Sequence, residues 1–352
     1  MSITEDEIEA AVSAGALPAE AAAALRTFVE QKRGALQADE ESFRLLTGFN
    51  DIFVAIALVI SLGALAWLTS QFSLLGSAVA VATASWALAE FFTRVRRMAL
   101  PSLLLLFAFV GAVVTGVFVL SPESPTQTQS IAYIVIAGVC GGVAAFLHWR
   151  RFKVPVTVAA GVASLGMTGV GLVAYILDSE DATMIAALVA GLVAFAVALA
   201  WDMSDPLRKT RRADVAFWLH LLAAPVIVHP LFRLLGVGRT GAFFPVSDDG
   251  GAPISASGGL SVTLISLAIY VALSVVALVV DRRALMVSGL LYLLYATYAA
   301  LRLAGSDETS YGAAALIVGS GLLLLSAFWA TARRFVLRFT PAPLRARLPP
   351  VG

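Results

Sequence analysis

The chain is dominated by ten stretches of about 18 to 24 apolar residues, joined by short segments that alternate between arginine-rich and nearly base-free. The runs are too long for barrel strands and show no polar/apolar alternation. In lipid, only a helix satisfies its own backbone over such a length. A water-facing globule is excluded by the 59% hydrophobic and 13% charged composition. The predicted fold class is therefore all-α: a polytopic helical membrane protein of about ten transmembrane helices, with a small N-terminal helical hairpin. The expected spans are Ile52–Thr69, Phe72–Phe92, Ala99–Leu120, Ile131–Trp149, Val154–Leu177, Thr183–Trp201, Ala213–Leu231, Leu260–Val280, Ala284–Leu301 and Tyr311–Ala332. They fill a bundle over 51–334, between a segment 1–50 and a basic tail 335–352.

Orientation follows from the bases. With the N-terminus in the cytoplasm, 21 of the 24 Lys and Arg fall on that side, leaving Arg233, Arg239 and Arg302 outside. Bases resist translocation during insertion, so this split predicts an inner-membrane protein with both termini cytoplasmic. The net charge of +1 hides the segregation and gives no reason to expect nucleic-acid binding. A basic rim of this kind contacts anionic lipid, so membrane lipids are the expected partners. The acidic, polar start of the chain predicts no cleavable signal peptide. Cys140 is the only cysteine and reads as a packing residue.

Ahead of the first span, Thr4 and Glu7 have capping-box spacing, Ile8 and Val12 share a helical face, and Gly15 is placed to end a helix. A second helix starting at Pro18 carries Leu25, Phe28 and Val29. The resulting hairpin is too small to bury a core, so it must dock on the bundle, on a copy of itself or on a protein partner. The acidic hairpin, with its run Ala14-Gly15-Ala16-Leu17-Pro18-Ala19-Glu20, followed by serial membrane hairpins with basic turns, resembles a family of uncharacterised bacterial multi-pass membrane proteins carrying a domain of unknown function. That resemblance implies an architecture and no activity.

Within the spans, Gly138 and Gly142 form a GxxxG pair, Ala112 and Gly116 a small-xxx-small pair, and Gly161, Gly166, Gly169 and Gly171 line the fifth span. These are expected to be close-packing positions. The densest chemistry surrounds the seventh span: Asp202, Asp205, the bases at 208–212 and Asp214, then His220, Pro225, His229 and Pro230. Pro225 and Pro230 cannot donate to the carbonyls of Leu221 and Val226, which predicts a kink and a polar niche beside His220. Nine residues rotate a helix by about 900° and advance it by about 13 Å, so the two imidazoles do not share a metal site. His220 reads either as a neutral ring tying two helices together or as a proton carrier. The nearby aspartates pair most simply with the surrounding bases.

A second constellation is expected at the opposite end. Tyr292, Tyr295, Tyr298 and Arg302 fall within about 120° of one helical face. With His229, Arg233 and Arg239 they outline either an outward vestibule or an aromatic belt with a snorkelling arginine. The long connection 232–259 lies above them. No Walker loop, HExxH, CxxC or nucleophile elbow is present in the sequence, so neither a catalytic residue nor a cofactor is expected. Two functions remain: a secondary transporter or channel for a small polar solute or proton, with His220 and Pro225 near the pathway, or a non-catalytic scaffold or sensor that recruits a partner through its N-terminal hairpin.

Overall fold

The computed structural model describes residues 8, 11–25, 27, 49–206, 208, 210–235, 259–303, 309–345 and 348–349. Among these there is no strand; nearly all are helical. The bundle runs α1 (Phe49–Ser70), α2 (Leu74–Ala89, extended by a π-helical turn Glu90–Val95), α3 (Ala99–Val119), α4 (Gln127–Phe152), α5 (Val156–Leu177), α6 (Glu180–Met203), α7 (Arg211–Leu234), α8 (Gly259–Val280), α9 (Ala284–Leu303), α10 (Ser310–Ala327), α11 (Trp329–Leu337) and α12 (Ala342–Arg345). Seven helices, α1 to α7, are long and apolar enough to cross a bilayer among the described residues. The pair α10–α11 would make an eighth.

That pair corrects the sequence reading. The expected single span Tyr311–Ala332 is broken at Phe328, where the chain bends by 75°. Past the bend, Trp329 and Arg333 of α11 are held by polar partners, the Asp281 carboxylate and the Pro349 carbonyl. α7, by contrast, carries Pro225 and Pro230 and runs without a break from Arg211 to Leu234.

The two ends of the bundle favour different turn chemistry, with the hydroxyl cap Thr210 at the basic end and the left-handed Asp178 at the other as exceptions. At the end poor in bases, hydroxyl residues cap the entering helices: Ser73 accepts from the Gly76 amide at 3.0 Å, Thr126 and Gln129 form a reciprocal capping box, and Ser179 accepts from Ala182 at 3.3 Å. At the basic end, each of the first four turns between consecutive helices contains one non-glycine residue in the left-handed region: Arg97, Lys153, Arg208 and Asp281, with φ from 52° to 60°. Helix pairs joined by these basic turns pack more closely than pairs joined at the other end, which makes the basic-turn hairpin the repeating unit of the bundle.

Glycines set two of the closest approaches. A Cβ on Gly138 would lie 2.8 Å from the Ser164 carbonyl oxygen, and one on Gly141 2.9 Å from Ser164 Oγ, so α4 meets α5 backbone to side chain. The interface glycine beside Gly138 is Gly141; a Cβ on Gly142 would make only ordinary contacts, and Gly169 has nothing within 4 Å. Gly191 does the same for α6 and α7, since a Cβ there would lie 2.9 Å from the backbone nitrogen of Ile227. Half of the apolar window of α7 is buried, against 11% for α1, so α7 is the axis around which the later helices pack. The exposed side chains of α1, including Phe53, Ile56, Ile60 and Trp67, suit a lipid surround.

Near the N-terminus, Gly15 has φ of 71°, and the amide of Ala16 donates to the Ala11 carbonyl at 2.9 Å, the bond pattern that closes a helix. Thr4, Glu7, Phe28 and Val29 of the expected hairpin, with the rest of residues 28–48, lie outside the described residues.

Candidate functional site

Six formal charges are sealed into the basic end of the bundle where α6, α7, α8 and α11 converge. Asp202 closes α6 and is only 5% exposed. It accepts hydrogen bonds from Arg282, at 3.2 Å from Nε and through a second, closer contact from a terminal nitrogen. His220, one helix away on α7, is fully buried and sets Nε2 2.8 Å from Asp202 Oδ2. Arg282 also donates to the Ala213 carbonyl at 3.1 Å. One carboxylate thus ties α6, α7 and the α8–α9 turn together.

The second centre is Asp281, whose left-handed backbone turns its carboxylate in under the bundle. Oδ2 accepts from Arg208 at 3.0 Å, and Oδ1 accepts from the Trp329 indole at 2.8 Å. Arg208 additionally donates to the carbonyls of Val280 and Asp281 at 3.3 and 2.8 Å. Arg333, 1% exposed, lies 3.7 Å from Asp281 and donates to the carbonyls of Leu278 and Pro349 at 3.2 and 2.7 Å. The chain end is therefore fastened to the same cluster. Asp205 completes it, accepting from the Thr210 amide and hydroxyl at 2.8 and 2.7 Å, which braces the turn before α7.

Three buried aspartates, 202, 205 and 281, lie at this end with three arginines, 208, 282 and 333, whose side chains are 6% exposed or less. Burying one such ion alone costs several kcal/mol, and only a balanced, fully bonded set offsets this. Asp202 is already bonded to a guanidinium and an imidazole, and among the described residues no group of three or more metal-ligating side chains occurs. His220 is the one imidazole among these side chains. Its ring stands edge-on to Phe195 at 5.2 Å, and its Nδ1 has no hydrogen-bond partner among the described residues.

The sequence singled out His220, Asp202, Asp205 and the bases at 208–212, and the fold brings most of them together. Arg282 and Arg333 were read as rim residues; folding buries them while the adjacent Arg283 and Arg334 stay exposed. The available signal was the adjacency of Asp281 to the Arg282-Arg283 doublet at a span end, a carboxylate that needs a base from another hairpin. Missed entirely was His148, fully buried on α4 among Trp86, Phe109 and Phe152, with Nδ1 3.2 Å from Thr157 Oγ1.

The residues expected at the opposite end are only partly brought together. Arg233 forms an ion pair with Glu180 at the start of α6, so the charge of Arg233 itself is paired. Tyr298 is buried, and His229 lies partly exposed one turn before Arg233. The side chains of Tyr292, Tyr295 and Arg302 lie outside the described residues, as do Arg239 and most of the 232–259 connection. Pro225 sits where α6 comes closest to α7, one residue before Val226 and Ile227, which pack on Gly191. A cleft of about 310 Å³ lies between α1, α2 and α3, lined by Ala66, Ser77, Ala78 and Gly111, well away from His220.

In comparisons with known proteins the chain matches no family model, no curated protein and no solved structure.

Proposed function

We propose that the chain is a ten-span inner-membrane protein, both termini cytoplasmic, that moves a small polar solute or a proton, with the His220–Asp202 pair as the group that senses protonation. The observation supporting this is the cluster itself: ionisable residues held inside a membrane bundle are costly and are kept for function, and this set is balanced so closely that one added proton upsets it. Protonating Asp202 would weaken its bonds to Arg282 and His220, the links that hold α6, α7 and the α8–α9 turn together. Protonating His220 would place a cation beside Arg282. The first event favours a looser cytoplasmic end, whereas the second also strengthens the His220–Asp202 bond. The segregation of bases, and the lengths of α8 and α9, support ten crossings with the cytoplasm at the basic end.

Reconstituted into liposomes, the protein is expected to give a flux that depends on pH and that falls to the protein-free baseline in His220→Ala and Asp202→Asn. Native flux in both variants would remove the pair from the mechanism. A scaffold or sensor is favoured by one specific contact, the Arg333 bond to Pro349, which fastens the chain end to the cluster and would report its state to a cytoplasmic partner. A folded protein that gives no flux at any pH would select that second reading.

A further inference from the structure

We infer that the basic face of the first two basic-turn hairpins is a binding site for the phosphate of an anionic membrane lipid. Two turns meet there, α2–α3 and α4–α5. Together they present Arg94, Arg96, Arg97, Arg150, Arg151 and Lys153, all exposed, with Glu90 the only acid in either turn. Glu90 organises the face without neutralising it. It accepts from Arg151 Nε at 2.6 Å and from a terminal nitrogen at 2.9 Å, and from Arg94 at 3.3 Å. A guanidinium carries five donors in a rigid fork, so both arginines keep most of theirs for another acceptor.

The backbone is also built to face this way. The end of α2 opens into a π-helical turn, Glu90–Val95, with the Arg96 amide reaching the Phe91 carbonyl at 2.9 Å and that of Met98 reaching Phe92 at 3.0 Å. Such turns recur at functional sites because they redirect side chains out of the helical register. Here it presents Glu90 and Arg94 toward Arg151 on α4.

The choice of a lipid over a free anion comes from the neighbouring apolar surface. Phe91, Val95, Phe146 and Leu147 are exposed just beside the cations, while Arg150 lies over the Phe146 ring at 5.9 Å and Lys153 over Trp149 at 5.4 Å. Charge and greasy surface are thus contiguous, which fits a molecule with a phosphate at one end and acyl chains at the other. This inference needs only that the basic end lies in a leaflet and is independent of transport.

Native mass spectrometry on the purified full chain, titrated with phosphatidylglycerol or phosphatidylcholine, tests it. The expected result is retained phosphatidylglycerol and little phosphatidylcholine. At about fivefold per cation, the variant R94Q/R96Q/R150Q should bind phosphatidylglycerol about a hundredfold more weakly. The control R212Q/R334Q/R338Q removes the same charge elsewhere on the rim and should stay near the native value. Equal loss in both variants would reduce the site to diffuse attraction, no preference between the two lipids would remove it, and displacement by inorganic phosphate at matching concentration would make it a free-anion site. Any of the three overturns the proposal.

Discussion

The two halves of the basic end solve one electrostatic problem in opposite ways. In the first half, Glu90 and Arg151 meet at the rim with their side chains a third or more exposed, and the bases around them outnumber the acids. In the second half, Asp202, Asp281 and their arginines are 6% exposed or less and matched in number. Water screens the first set and leaves it free to meet ligands, whereas the second has only its own members as solvent. The difference teaches that a pair of arginines at a helix turn has no fixed meaning: whether a carboxylate from another hairpin arrives underneath decides between rim and core.

That contrast is broken most severely at Arg282. Arg282→Met leaves Asp202 buried without its main counter-charge and should cost about 3 to 5 kcal/mol, read as a large fall in thermal unfolding temperature in detergent. Arg151→Met removes an equally well-formed contact at the rim and should move the same temperature little. Similar shifts in the two would mean that burial does not separate the halves. A smaller effect sharpens the packing side of the comparison. Gly191→Val drives a side chain into Ile227 where α6 meets α7 and should cost about 1 to 3 kcal/mol, while Gly169→Ala, with nothing within 4 Å, should be tolerated. If Gly169→Ala destabilised as much as Gly191→Val, the close approach would not be where the geometry puts it.

Helix existence was largely legible in the sequence because the hydrocarbon demand for long apolar runs leaves few alternatives. Boundaries of α1 to α7 follow the runs to within a turn or so at most ends, with overshoot where polar residues such as Arg150 or Asp202 extend a helix beyond the apolar stretch. The broken α10–α11 was illegible: Phe328 and Trp329 read as one more apolar step, and the contacts to Asp281 and Pro349 that hold the chain past the bend are tertiary. His220 could be flagged from its depth and type, but its partner could not. Asp202 lies 18 residues earlier, on another helix, and helical periodicity carries no information across a turn. The prolines do not end α7, which runs through both of them as one helix.

Everything from the buried cluster to the lipid face assumes that the arginine-rich turns share one side of a membrane and the base-poor turns the other. Single cysteines at Glu123 and Arg283, on a Cys140→Ser background, can be probed in intact cells with a maleimide that does not cross membranes. The account predicts labelling of Glu123→Cys from outside, and labelling of Arg283→Cys only after the membrane is opened. Labelling of Arg283→Cys from outside, or of both positions from one side, would contradict it.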